Sequence, residues 1–328
     1  MVFEECERPV AAWRNREFYR GKKVECLTII LRTGGCSWGQ CLMCGYRHER
    51  YPFRDEESLT RGITSQLRWV HDRYRDEGYD MVKIFTSGSF FDREEVPSYA
   101  RDEVARLFKG KLIIVESRPE HIYPEVIEEF IATIDTNRWD PPLYVAIGLE
   151  TANDAIRDKS ICKGFSLNDV KEATQKIHAV DAGVKAYLLM KPPFLTEQEA
   201  IDDMVTSIEA CRPWADLISM NLCTVQSRTL VEWYWKRMAY RPPYLWSVLE
   251  VLQTAGDPIL CDPVGGGTPR GPHNCGTCDR ELVEGIRTYS ETGDRDLIRN
   301  LAARECPCKE EWQFILREER PYCAPLTR

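Results

Sequence analysis

The chain has 328 residues, 43% of them hydrophobic and 29% charged, enough to bury a sizeable core in one large α/β domain or two smaller ones. A net charge of −8 excludes a global basic field for nucleic acid or an anionic membrane, so RNA contact must come from local patches or a partner. The sequence has no run of about 18 apolar residues, and its N-terminus, MVFEECERPVAAWRNREF, is charged throughout; the expected location is the cytoplasm.

In chain order, VECLTIILRTGG (24–35) predicts a buried strand with a glycine exit. SLTRGITSQLRWVHDRYRDEG predicts a helix capped by Ser58 and ended near Gly78. MVKIFTSGSFFD predicts a strand and loop, RDEVARLFKG a helix, KLIIVES a strand, YPEVIEEFIAT a helix and LYVAIGLET a strand. A helix from Ser166 to a stop at Gly183 follows, then strand VKAYLLMKPP, helix TEQEAIDDMVTSIEAC and strand ADLISMNLC. VEWYWKRMAYRPPYLWSVLEVL predicts a helix and turn, and DPVGGGTPRGPHNCGTCD a glycine- and proline-rich loop.

Strands and helices thus alternate about six times, and the strands are continuous apolar runs. The expected fold is α/β: a partial parallel (β/α)6 barrel over residues 24–260, an N-terminal extension over 1–23 and a small cysteine-rich C-terminal module over 261–328. A doubly wound open sheet is the competing reading. In either, ligands bind at the carboxyl ends of the strands, where the polar motifs fall.

CSWGQCLMCGY sits at the first of these ends. In a reducing compartment clustered cysteines favour metal over disulfides. Cys36, Cys41 and Cys44 offer three soft ligands. With His48 they could close a zinc site; alone they suit an iron–sulfur cluster with one open iron. The isolated Cys6, Cys26, Cys162, Cys211, Cys223 and Cys261 read as small buried hydrophobes. Near the end, Cys275 and Cys278 with His273 beside them, the close pair Cys306 and Cys308, and Cys323 leave open a zinc site, a second cluster or unligated thiols.

On the cysteine loop in its βα setting, the chain resembles the radical S-adenosylmethionine (SAM) superfamily. The family pattern has three residues, then two, between its cysteines; this chain has four, then two. The resemblance implies a [4Fe–4S] cluster on Cys36, Cys41 and Cys44, an open iron that holds SAM, and release of a 5′-deoxyadenosyl radical. Tyr46 lies near the family's usual aromatic position. The resemblance further implies Ser87, Gly88 and Ser89 at the SAM amino group, and Glu116 and Arg118 as SAM or substrate contacts. Gly148, Glu150 and Thr151 would lie near the ribose and methionyl carboxylate, and Asn221 near adenine and ribose. Taken alone, these residues are equally a strand-ending turn, a surface ion pair and a plain turn residue.

GGCSWGQCLMCGY, FTSGSFFD, VESRPEHI, GLETANDAIRDKSICKGF and NLCTVQSRTLVE together resemble the archaeosine-forming radical SAM proteins, the RaSEA family, relatives of the Elongator catalytic subunit's radical SAM domain. The resemblance runs through GPHNCGTCD. It implies that archaeosine synthase first attaches lysine to 7-cyano-7-deazaguanine in the D-loop of archaeal tRNA. The radical enzyme then breaks a C–N bond in the lysine part, with electrons from a donor such as a ferredoxin. Lys191 and Glu150 are candidates to orient the lysyl group. For RNA, WRNREFYRGKK offers Arg14, Arg16, Lys22 and Lys23, and WYWKRMAYR offers Lys236 and Arg237; snorkelling cations at the core's edge are the plainer reading. The partner synthase is expected to supply much of the tRNA affinity. An Elongator-like tRNA enzyme and a non-enzymatic zinc-stapled α/β binding module are the alternatives.

Overall fold

The computed structural model describes residues 7–321; Cys6 and Cys323 lie outside the described residues. Its sheet comprises β1 (Ala11–Tyr19), β2 (Lys22–Ile30), β3 (Met81–Phe85), β4 (Leu112–Glu116), β5 (Leu143–Glu150), β6 (Gly183–Met190), β7 (Leu217–Leu222) and β8 (Leu260–Asp262). Each strand lies beside its chain neighbour, from β1 to β8. The β1–β2 pair is antiparallel and all later pairs are parallel. This order never turns back, whereas a doubly wound sheet reverses at a switch point, so the barrel reading holds. The expected six parallel strands are β2 to β7. Residues 11–19 and 260–262 add a strand at each edge.

Helices α1 (Glu56–Tyr74), α2 (Ser98–Leu107), α3 (Pro124–Ile134), α4 (Leu167–His178) and α5 (Glu197–Cys211) connect the parallel strands. Ser166 and Thr196 cap α4 and α5 with reciprocal capping boxes, through Asp169 and Glu199. The α1 cap is Asp55, not Ser58: the Asp55 carboxylate accepts from the Ser58 N–H, as an acidic N-cap does. Nor does Gly183 stop α4. It opens β6, where a Cβ would come within 2.4 Å of the Tyr144 ring, so the missing side chain serves close packing.

Strand alternation divides the buried residues between two cores. Leu27, Ile29, Ile84, Val115, Val145, Ile147 and Val184 face the helices. Cys26, Met81, Leu112, Ile114, Tyr144, Ala146 and Tyr187 form a second cluster inside the curl of the sheet. Glu17 of β1 also lies inside, paired with Lys83 of β3 and 4.0 Å from Lys185 of β6. Contact among these strands requires a strongly curved sheet. Burial pushes the Glu17 carboxyl up, but the two lysines outweigh it and hold it below its ordinary value.

The chain then forms α6 (Leu230–Trp235), α7 (Leu245–Thr254), α8 (Asp279–Thr292), α9 (Arg295–Ala302) and α10 (Cys308–Glu318). Helix α8 covers the seam between β8 and β1: the Cys261 N–H donates to Ser290 Oγ at 2.9 Å, and Lys23 pairs with Glu291 at 3.6 Å. Leu282, Ile286 and Tyr289 of α8 join the main core. Among the described residues, no helix is long and apolar enough to cross a membrane.

Candidate active site

The site begins where β2 ends. The Leu31 N–H still donates to Phe85 O, at 2.9 Å, and the chain then leaves the sheet through Gly34 and Gly35. A Cβ on Gly34 would stand 2.4 Å from Glu94 O, so glycine permits that approach. The loop that follows carries Cys36, Cys41 and Cys44, with Cys41 buried and the other two half-buried. It is tied to two other strand-end segments, those after β5 and β7. Leu42 N–H donates to Ile161 O at 3.0 Å, Trp38 Nε1 to Cys162 O at 2.7 Å, and Leu230 N–H to Leu42 O at 3.1 Å.

The segment after β3 packs directly on this loop. A Cβ on Gly88 would lie 2.7 Å from both Cα and Cβ of Cys36. Ser89 Oγ accepts from the Arg118 N–H at 3.1 Å, and Phe90 N–H donates to Glu116 O at 2.7 Å, which locks the segment against β4. Glu95 holds both sides: it accepts from Ser89 N–H at 2.6 Å and Thr33 Oγ1 at 2.8 Å. Burial pushes its carboxyl up to about 7.

As the last residue of β4, Glu116 stands half-buried at the barrel mouth. Its carboxyl is pushed up to about 8, chiefly by desolvation and with Glu150 adding to it, while Lys163 opposes the shift. Arg118 is 6% exposed, paired with Glu120 and set 5.2 Å over the Trp38 ring and 5.1 Å over Phe165. It is therefore a buried cation beside the cysteine loop rather than a surface ion pair. Gly148 and Glu150 end β5. Lys163 pairs with Glu150 at 2.5 Å, and a Cβ on Gly148 would stand 2.7 Å from Lys163 Nζ. Asn221 is half-buried on β7, in register with Leu189 and Asp262.

Two expected residues have other partners. Thr151 follows the inward Glu150, so strand alternation sends it outward, where its hydroxyl donates to Asp203 of α5 at 2.7 Å. Lys191 is 3% exposed and paired with Glu197 at 2.5 Å; that carboxylate also accepts from Tyr244 N–H and Ser247 Oγ. His48 is exposed and accepts from Arg47 Nε at 3.3 Å.

The donor set fits the expected cluster: three free thiols on one strand-end loop, with Lys163 and Arg118 near Cys41 to offset thiolate charge. Burial holds the Cys41 thiol up at about 11, so ligation must displace its proton. Sequence reasoning missed Glu95, Lys163 and Gln226, whose Oε1 accepts from Gly45 N–H. Lys163 and Gln226 lie within the stretches GLETANDAIRDKSICKGF and NLCTVQSRTLVE, but their spacing gives neither residue a role there, and Glu95 lies outside every quoted motif.

The two basic stretches separate. Lys22 and Lys23 open β2, at the end away from the cysteine loop, and Arg14 and Arg16 pair with Glu25 at 2.9 and 2.8 Å. Lys236 and Arg237 follow α6, next to the loop. Lys236 pairs with Glu232 at 3.4 Å, and the Arg237 guanidinium lies 3.8 Å over Trp233, which is 44% exposed. At the other end of the chain, Cys275, Cys278, Cys306 and Cys308 gather with all sulfurs within 4.8 Å of one another.

No family model matches the chain. It is 37% identical to archaeosine synthase subunit beta of Methanosarcina acetivorans, covering 97% of this chain and 93% of that protein. It is 36% identical to the protein of that name from Thermococcus kodakarensis, over 93% of this chain and 95% of the relative. Among solved structures, Methanocaldococcus infernus Elp3 aligns with a TM-score of 0.49 and 17% identity, over 72% of this chain and 60% of that one. A queuine lyase from Clostridium spiroforme bound to SAM and queuine gives 0.49 and 19%, over 68% and 89%. Both scores fall below 0.5, so the assignment rests on the full-length relatives. With its cysteine loop, its strand-end motifs and this identity along almost all of its length, the chain belongs to the archaeosine synthase subunit beta (RaSEA) family of radical SAM proteins.

Proposed function

We propose that this protein is the radical SAM enzyme of archaeosine formation, cleaving a C–N bond in the lysine adduct of 7-cyano-7-deazaguanine in the tRNA D-loop. It acts with archaeosine synthase, which makes that adduct and supplies much of the tRNA affinity, and with an electron donor such as a ferredoxin. The setting is the cytoplasm, where reduction keeps thiols free. The observation that carries the reading is the direct packing of Gly88 on Cys36, which joins the cysteine loop to the Ser87–Gly88–Ser89 turn at one barrel mouth. The names of the full-length relatives support the product.

Cys36, Cys41 and Cys44 would hold a [4Fe–4S] cluster, and Ser87, Gly88, Ser89, Arg118, Gly148, Glu150 and Asn221 would line the SAM site. When bound, cluster and SAM supply a hydrogen-abstracting radical. This suits a neutral C–N bond, because acid–base catalysis lacks a good leaving group there, whereas a radical on the adjacent carbon weakens the bond. Lys163 and Arg118 balance charge at the thiolates. Glu116, its carboxyl pushed up to about 8 even with Lys163 nearby, would ionise as it accepts a further cation, an ammonium of SAM or of the lysyl group. The buried ring of strand ends excludes water from reactive groups. Arg237 and Lys236, beside exposed Trp233, would meet RNA at the same end.

The test is anaerobic turnover of lysine-adduct tRNA with SAM, a reductant and the synthase, read by mass spectrometry of the nucleoside. Archaeosine should form with the parent protein and not with Cys41→Ala. An unchanged adduct in a preparation that cleaves SAM would overturn the proposal.

A further inference from the structure

We propose that Cys275, Cys278, Cys306 and Cys308 form a closed structural Zn2+ site, independent of the chemistry at the barrel mouth. Cys275 Sγ lies 3.7 Å from Cys306 Sγ, Cys278 Sγ 3.7 Å from Cys308 Sγ, and the Cys306 and Cys308 sulfurs 3.4 Å apart. Four thiolates about 2.3 Å from one tetrahedral zinc ion stand about 3.8 Å from each other. A cubane binds each thiolate to a different iron and spreads them farther. A disulfide brings two sulfurs to about 2.05 Å. The spacing therefore selects a single tetrahedral ion. Among first-row ions thiolates hold zinc more tightly than ferrous iron. All four positions are protein sulfur, which leaves none open for catalysis.

The surroundings also suit a charged tetrathiolate. Asn274 Nδ2 and Trp246 Nε1 point at Cys278 Sγ and Cys308 Sγ, each at 3.3 Å, so two N–H donors disperse sulfur charge. Asn274 Oδ1 accepts in turn from Leu245 N–H at 2.8 Å, at the first residue of α7. The neighbouring Tyr244 N–H donates to Glu197, the partner of Lys191 at the end of β6. The ion would thus fasten the glycine-rich segment before α8 to the start of α10 and to α7. That segment has little apolar side chain of its own, so ligation supplies its folding energy.

The test is metal analysis and zinc-edge X-ray absorption on the intact chain, where the edge is blind to iron at the other site. About one zinc per chain and a sulfur-only shell near 2.3 Å are expected. In protein carrying Cys36→Ala, Cys41→Ala and Cys44→Ala, zinc should remain while iron disappears, and Cys275→Ser with Cys306→Ser should remove the zinc. Zinc-free protein, iron retained in the triple variant, or oxygen and nitrogen in the shell would each overturn the proposal. Because the intact chain is measured directly, the result stands even if the serine variant fails to fold.

Discussion

Glu116 concentrates the electrostatics of the mouth in one side chain. Its carboxyl moves from 4.5 to about 8, so between those values the folded protein holds a proton that the unfolded chain has released. Stability from this group therefore falls as pH rises through that window. Glu95, moved to about 7, acts in the same sense over a narrower range. Glu116→Gln removes one of these penalties. The melting temperature of the SAM-free variant, relative to the parent, should rise steadily from about pH 5 to about pH 8. A pH-independent difference would show that Glu116 is solvated as an ordinary carboxylate.

At the scale of elements, two loops meet without a side chain between them. Alanine at Gly88 would place Cβ 2.7 Å from Cys36 backbone and 2.6 Å from Glu95 Oε2. Backbone cannot swing away as a flexible side chain can, so the loops must separate. Gly88→Ala should cost about 1–3 kcal/mol in denaturant unfolding and lower the iron retained per chain. Full iron content and unchanged stability would mean that the two loops are free to shift. Lys163 shows why such neighbours are hard to foresee. It follows a helical turn, Asp154–Ile156, and a π-helical turn, Arg157–Ile161, and only that path returns its side chain to Glu150.

Across the whole molecule, the barrel interior is held by charge as well as by packing. Glu17 stands between Lys83 and Lys185, which are 8% and 2% exposed. Removing the carboxylate leaves two buried cations without their shared partner. Glu17→Ala should destabilise the fold by about 3–5 kcal/mol in urea unfolding, with the loss shrinking if Lys83 is also made Met. A loss below about 1 kcal/mol would place the trio in contact with water.

The strand and helix order was legible in the sequence, because continuous apolar runs and helical periodicity are both local patterns. The starts of α4 at Ser166 and of α5 at TEQE were legible for the same reason, and the structure adds capping boxes at Ser166 and Thr196, whose partners lie only three residues on. The three cysteines and the polar strand ends marked the mouth, since parallel strands carry their ligand-binding loops at one end. Tertiary structure alone decided that residues 11–19 join the sheet, that α8 covers its seam, and that Thr151 turns to Asp203 while Lys163 turns to Glu150. It also brought Cys275 and Cys278 to Cys306 and Cys308 across 31 and 30 residues. These are contacts between distant parts of the chain, fixed by curvature and packing, and spacing along one sequence does not encode them.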